Sequence, residues 1–229
     1  SSDLAENDMT PNNIINMARI KGLDIISVTD HNSTRNCEAV AKCGLYKDIL
    51  VVPGIELETS EEVHLLCLFA NMNQAHQLQK IVDQALYPLE NREDIFGKQL
   101  IINEYDEITG SEKRLLLSAV QINLHDAIQL VRKIGGVAIP AHINRNANSI
   151  ISNLGFIPQE LDLTFLELPV SCQVGEFIEK NAELKKYSFI QSSDAHYLGD
   201  ILERIRFLEL ETLSTDCLID TLRKPSSLL

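Results

Sequence analysis

The chain has 229 residues, 45% of them apolar, and a formal net charge of −13 at neutral pH. That suits one sizeable domain spanning residues 1–229, and the acidic balance argues against a basic nucleic-acid groove. Trp is absent and aromatic residues make up 5%, which excludes a base-stacking platform; no apolar run has the length and purity of a membrane span. The polar, acidic start lacks the basic-then-apolar pattern of a signal peptide. The five cysteines (37, 43, 67, 172 and 217) are widely spaced with no CxxC pair, so free thiols and a cytoplasmic location are expected.

Taken in chain order, Thr10 followed by Pro11 opens a helix over "PNNIINMARIKG" that Gly22 closes. An apolar strand over 24–29 ends in Asp30-His31, and a second over 49–53 runs through Pro53-Gly54 to Glu56. A third strand over 63–69 begins at His64, and an amphipathic helix follows with His76 away from its apolar face. Residues 88–122 break the rhythm with charged, weakly periodic sequence, read as an insertion or lid segment rather than a second domain. Asn123 caps a helix that ends at Gly135, with Ala127, Leu130, Val131 and Ile134 on one face and His125 in its first turn. Strands then follow over 137–141, ending at His142, over 163–168, carrying Glu167, and over 187–192, ending in "SSDAH". A last strand is predicted over 205–210. Strands alternating with helices imply an α/β fold with a largely parallel sheet, open or closed into a barrel.

Functional side chains in such folds gather at the carboxyl ends of strands. Four of these strands lead into His, Asp or Glu at that end. "PGIELETSEEVHLLCLF" reads as a hairpin, and pairing symmetric about Ser60 would set Glu56 opposite His64, with Cβ atoms roughly 5 Å apart. His31, Glu56, His64, His142, Asp194 and His196 form a set of imidazoles and carboxylates without thiolate, suited to Zn²⁺, Mn²⁺ or Fe²⁺. Six candidates exceed the needs of one tetrahedral ion, so a cluster of two or three divalent ions about 3.5–4 Å apart is the better fit, with Glu56 as a bridge. Such a cluster acidifies a water and clamps phosphoryl oxygens. Arg145 is a candidate for a bidentate phosphate contact, with Asn144 beside it. Asn32 is expected to shape its loop, Asp30 to orient an imidazole, and Cys172 to serve as a small core thiol. No P-loop, dinucleotide-binding or acyl-transfer motif is present.

"SVTDHNS", "VVPGIELET", "VHLLCLF", "IPAHINR" and "SSDAH" occur in an order that resembles the PHP (polymerase and histidinol phosphatase) superfamily of metal-dependent phosphoesterases, over nearly the whole chain. The resemblance implies a distorted seven-stranded β/α barrel with a two- or three-metal site at the strand ends. It puts the metal ligands on His31, Glu56, His64, His142, Asp194 and His196, with catalysis carried by Glu56, Asp194 and His196. The family's first strand, with its His-x-His pair, has no counterpart here; "SSDLAENDMTPNN" reads as part of the loop after it, so the first strand is expected to be missing from this chain. The implied activity is hydrolysis of a phosphate ester on a small phosphorylated metabolite or nucleotide by a metal-activated hydroxide. The alternatives are a non-catalytic, metal-stabilised PHP module and a nuclease module associated with DNA repair or a polymerase. No membrane partner is expected, direct nucleic-acid binding has no strong sign, and the oligomeric state is open.

Overall fold

The computed structural model describes residues 8–224. Residues 1–7, read above as part of a loop, lie outside the described residues. Helix α1 (Pro11–Ile20) starts with Pro11 at its first position after an extended Thr10, whose side chain makes no capping bond. Strand β1 (Ile25–Val28), helix α2 (Cys37–Leu45), strand β2 (Leu50–Glu58) and strand β3 (His64–Leu68) follow. Helix α3 (Met72–Ala85) is capped by Asn71 and buries Ala75, Leu78 and Val82, leaving His76 exposed.

The 88–122 segment forms a short helix α4 (Glu93–Phe96) and a hairpin of β4 (Leu100–Ile102) and β5 (Ile108–Ser111). Asn123 caps α5 (Leu124–Ile134) by accepting from the Asp126 N–H, and Gly135 ends it in the left-handed conformation, as its sequence predicts. Strand β6 (Val137–Pro140), helix α6 (Ile150–Leu154), strand β7 (Phe165–Pro169), helix α7 (Val174–Lys180), strand β8 (Ser188–Ser192) and helix α8 (Thr215–Arg223) complete the described residues.

The sheet is mixed rather than largely parallel. β1 pairs parallel with β2, β2 pairs antiparallel with β3, and β3 pairs antiparallel with β6, while β7 and β8 form a parallel pair next to β6. The cause is the short β2–β3 connection: such a link can only return the chain antiparallel. This reversal serves the site, because the start of β3 now lies at the rim where β1, β2, β6 and β8 end.

The expected seven-stranded barrel does not close among the described residues. The order β1-β2-β3-β6 is continued by β7-β8 through the Ile143 N–H donating to the Glu167 carbonyl at 3.1 Å. The outer edges of β1 and β8 then stay unpaired among the described residues. A cavity of about 1370 Å³, lined by residues of both, lies between them. Residues 205–210, predicted as a strand, are irregular, with Ile205 49% and Phe207 70% exposed. Alternating apolar residues make a strand only where an edge accepts their amides, and neither open edge takes this segment.

The core follows the same division. β2, β3, α3 and α5 bury the large cluster around Ile55, Leu65, Phe69 and Ile128, while β1, α1 and α2 bury a second one around Ile15 and Val40. All four residues of β6 are buried, so its end is held rigidly beneath His142.

Candidate metal centre

Backbone hydrogen bonds bring the first two ligand candidates together. His31 forms an isolated bridge with Glu56; the Glu56 N–H donates to the Asp30 carbonyl at 3.1 Å, and the Asn32 N–H donates to the Glu56 carbonyl at 2.9 Å. The β2–β3 register corrects the expected one: Glu58, not Glu56, lies opposite His64, so the pairing is symmetric about Glu61. A two-residue offset in partner keeps the same face of the sheet, and His64 reaches diagonally to Glu56, with Nδ1 3.0 Å from Oε1.

Glu56 is 4% exposed and its carboxylate touches three imidazoles. Oε1 lies 3.0 Å from His64 Nδ1 and 3.3 Å from His142 Nε2, and Oε2 lies 3.4 Å from His31 Nδ1. Four rings stand in a row, His142, His64, His31 and His196, with centroids 5.1, 5.3 and 6.1 Å apart. Asp194 and His196 join from beyond β8. Asp194 is ion-paired to Arg145 at 2.6 Å, and its carbonyl lies 2.9 Å from His196 Nδ1. His142 and Asp194 both adopt left-handed backbone, at φ 30° and 49°, a strained conformation for residues with side chains and one that concentrates at working sites.

The donors fit a divalent cation. A neutral imidazole has one donor and one acceptor nitrogen, yet the buried Nδ1 atoms of His31 and His142 have no hydrogen-bond partner among the described residues. His64 Nδ1 and His142 Nε2 face each other at 3.1 Å, where only a shared proton or a cation relieves the lone-pair repulsion. One ligand atom each from His31, Glu56 and His64 lies within 4.8 Å of the others, a spacing one ion can span.

Electrostatics agree with a cationic occupant. Burial raises the Glu56 carboxyl, but hydrogen bonds from His142 and His64 and the neighbouring imidazoles overcome this and hold it well below the usual carboxylate range. Burial pulls His64 down, but the hydrogen bond and charge of Glu56, with Glu58 behind, outweigh it and leave its pKa above the ordinary value. His31 is pushed down by burial, which favours the neutral, ligating form. Burial also raises Asp30, whose carboxylate accepts from Asn36 and bonds no imidazole among the described residues, so it does not take the expected role of orienting one.

Asn32 shapes its loop, as its sequence suggests. It is fully buried, donates to the carbonyls of Leu116 and Ser118, and accepts from the Glu58 N–H. Asn32→Ala would remove the side-chain partner of three backbone groups, one buried and two partly buried, so a loss of about 1–3 kcal/mol is expected in denaturant unfolding; an unchanged midpoint would refute this account. Asn144 is exposed, and Arg145, half-exposed, is held by Asp194. His125 is exposed, and Cys172 is half-buried against the core. One support was missed in sequence. Glu58 Oε2 stands 3.9 Å from His64 Nε2, a position foreshadowed only by its two-residue spacing from Glu56. Glu167, which its place at a strand end offers as a supporting or substrate-facing group, has a carboxylate that accepts from the His142 N–H and the Ser192 hydroxyl.

No protein-family model matches the chain. It is 23% identical over 210 residues to an uncharacterized protein of Methanocaldococcus jannaschii, covering 91% of this chain and 22% of that protein. Among solved structures, the lesion-specific endonuclease Q of Pyrococcus furiosus superposes with a TM-score of 0.63 at 15% identity, over 97% of this chain and 53% of that one. A candidate metal-dependent phosphoesterase from Bifidobacterium adolescentis superposes with a TM-score of 0.60 at 17% identity, over 99% of this chain and 94% of that one. The chain thus spans about half the length of the endonuclease and nearly all of the second protein. What the chain shares with these structures is a mixed α/β fold.

Proposed function

We propose that the protein is a metal-dependent phosphoesterase whose divalent ions, two or three in number, are held by His31, Glu56, His64, His142, Asp194 and His196. The observation that carries this reading is one buried carboxylate, Glu56, within 3.4 Å of three imidazoles, two of which, His31 and His142, have a buried Nδ1 with no hydrogen-bond partner among the described residues. When bound, Zn²⁺, Mn²⁺ or Fe²⁺ supplies Lewis-acid polarisation of the phosphoryl group and acidifies water. Glu56 balances the charge of the site, while Asp194 and His196, both lining the cavity, meet the substrate side of it. Arg145 steers a phosphate oxygen through the face of its guanidinium not spent on Asp194, with Asn144 beside it.

The hairpin of 88–122 acts as a wall or lid. Lys98 to Ile102 line the cavity, and Asn36 ties β4 to Asp30 by bonding the Leu100 carbonyl, the Ile102 N–H and the Asp30 carboxylate.

A nuclease-like substrate is favoured over a small metabolite by one finding. A structure of endonuclease Q with a 27-mer duplex carrying an abasic lesion at its active site superposes with a TM-score of 0.62 over 97% of this chain and 53% of that one. The test is an assay of the protein loaded with each ion on p-nitrophenyl phosphate, mononucleotides and an abasic-site duplex, with and without chelator. Hydrolysis that disappears with chelator is expected. No turnover on any ester, with metal retained, would leave the non-catalytic module.

A further inference from the structure

The six ligand candidates do not by themselves explain how His142 is aimed. A metal-binding histidine ordinarily donates its second ring nitrogen to a carboxylate or carbonyl, which sets the ring's orientation. His142 lacks that device, since its Nδ1 is buried and has no hydrogen-bond partner among the described residues. Its backbone also sits in the left-handed region at φ 30°, a conformation that must be held from outside.

Glu167, 1% exposed, stands where it can do the holding. Its Oε2 accepts the N–H of His142, and its own backbone carbonyl accepts the N–H of Ile143 at 3.1 Å. One residue thus grips two consecutive amides of the strained segment. Its Oε1 accepts the hydroxyl of Ser192 at 2.8 Å, two positions before Asp194. The carboxylate on β7 thereby ties the ends of β6 and β8, the two strands that deliver His142 and the Asp194–His196 pair.

We infer that Glu167 is a positioning residue of the metal centre, acting on His142 through its backbone amide and on the Asp194 loop through Ser192, without binding metal itself. The inference rests on the metal-centre reading above. The geometry explains why an acid is needed. A carboxylate accepts both bonds at once and carries a negative charge beside the centre, whereas glutamine keeps the His142 amide on its one oxygen only by turning its NH2 to Ser192, which reverses that bond and removes the charge.

Glu167→Gln and Glu167→Ala are compared with the parent by Mn²⁺ titration calorimetry, thermal melting and amide hydrogen exchange. The expected result is a fall in Mn²⁺ affinity of about 10–100-fold in Glu167→Gln, with faster exchange of the His142 amide and a retained cooperative melt. Glu167→Asp, which keeps the charge and shortens the reach, serves if the alanine variant fails to fold, and is expected to restore part of the affinity. Ser192→Ala removes one of the two bonds and is expected to cost less than Glu167→Gln. Parent-like Mn²⁺ affinity in Glu167→Gln would overturn the inference, as would a lower melting temperature with unchanged affinity and His142 exchange. A parent that binds no Mn²⁺ would instead overturn the metal-centre reading and this inference with it.

Discussion

Glu56→Gln is expected to lose its divalent metal and its phosphoesterase activity together while keeping its fold. Glutamine matches the volume of the buried side chain, so the core around β2 is not disturbed. What disappears is the one negative charge within 3.4 Å of His31, His64 and His142. Three neutral imidazoles still offer nitrogen lone pairs, but without the anion the charge of a buried divalent ion is left unbalanced, and that is costly. The loss of affinity should exceed the about 10–100-fold typical for removing a group that merely orients a ligand. Metal content after desalting and Mn²⁺ titration would measure it. Retained metal with lost turnover would confine Glu56 to the chemistry, and retained turnover would remove it from the centre.

The second large effect is on stability. Metal-stripped protein is expected to melt at a lower temperature than protein with Zn²⁺ or Mn²⁺ at about 100 times its dissociation constant, where linkage supplies about 2.7 kcal/mol. For a domain of this size that corresponds to a shift of about 5–10 °C. The shift carries a pH dependence of definite sign. Metal binds neutral imidazole, so protons compete with it. His64 has its pKa above the ordinary value, because the bond and charge of Glu56 outweigh the burial that pulls it down. Its proton is therefore released at a higher pH than that of an ordinary histidine. The metal-induced shift should grow as pH rises through that pKa and shrink as pH falls below it. Paired melts with and without metal across this range would check the prediction, and an increment that grows in acid would contradict it.

Several misreadings of the sequence share a physical origin. The β2–β3 pairing was expected to place Glu56 opposite His64, yet Glu58 takes that position. A hairpin register depends on how its turn closes, here with the Thr59 N–H bonded to the Val63 carbonyl and Glu62 at φ 58°, and side-chain alternation alone does not encode that choice. The outcome for the site survived because an offset of two keeps the face. The apolar pattern at 205–210 failed as a strand because a strand is a property of a pair, and no accepting edge is present beside it. Arg145 looked free in sequence, but its partner Asp194 is 49 positions away.

By itself the sequence determined the principal strands of the core, the start and end of α5 at Asn123 and Gly135, and which His, Asp and Glu residues stand at strand ends. Those features depend on local periodicity and on residue chemistry within a few positions. Only the tertiary structure decided that His31, Glu56, His64 and His142 meet around one point, that His142 and Asp194 sit on strained backbone, and that Glu167 grips His142 and Ser192. These contacts join residues up to 86 positions apart, and their distances are set by strand order and packing, which no local pattern records.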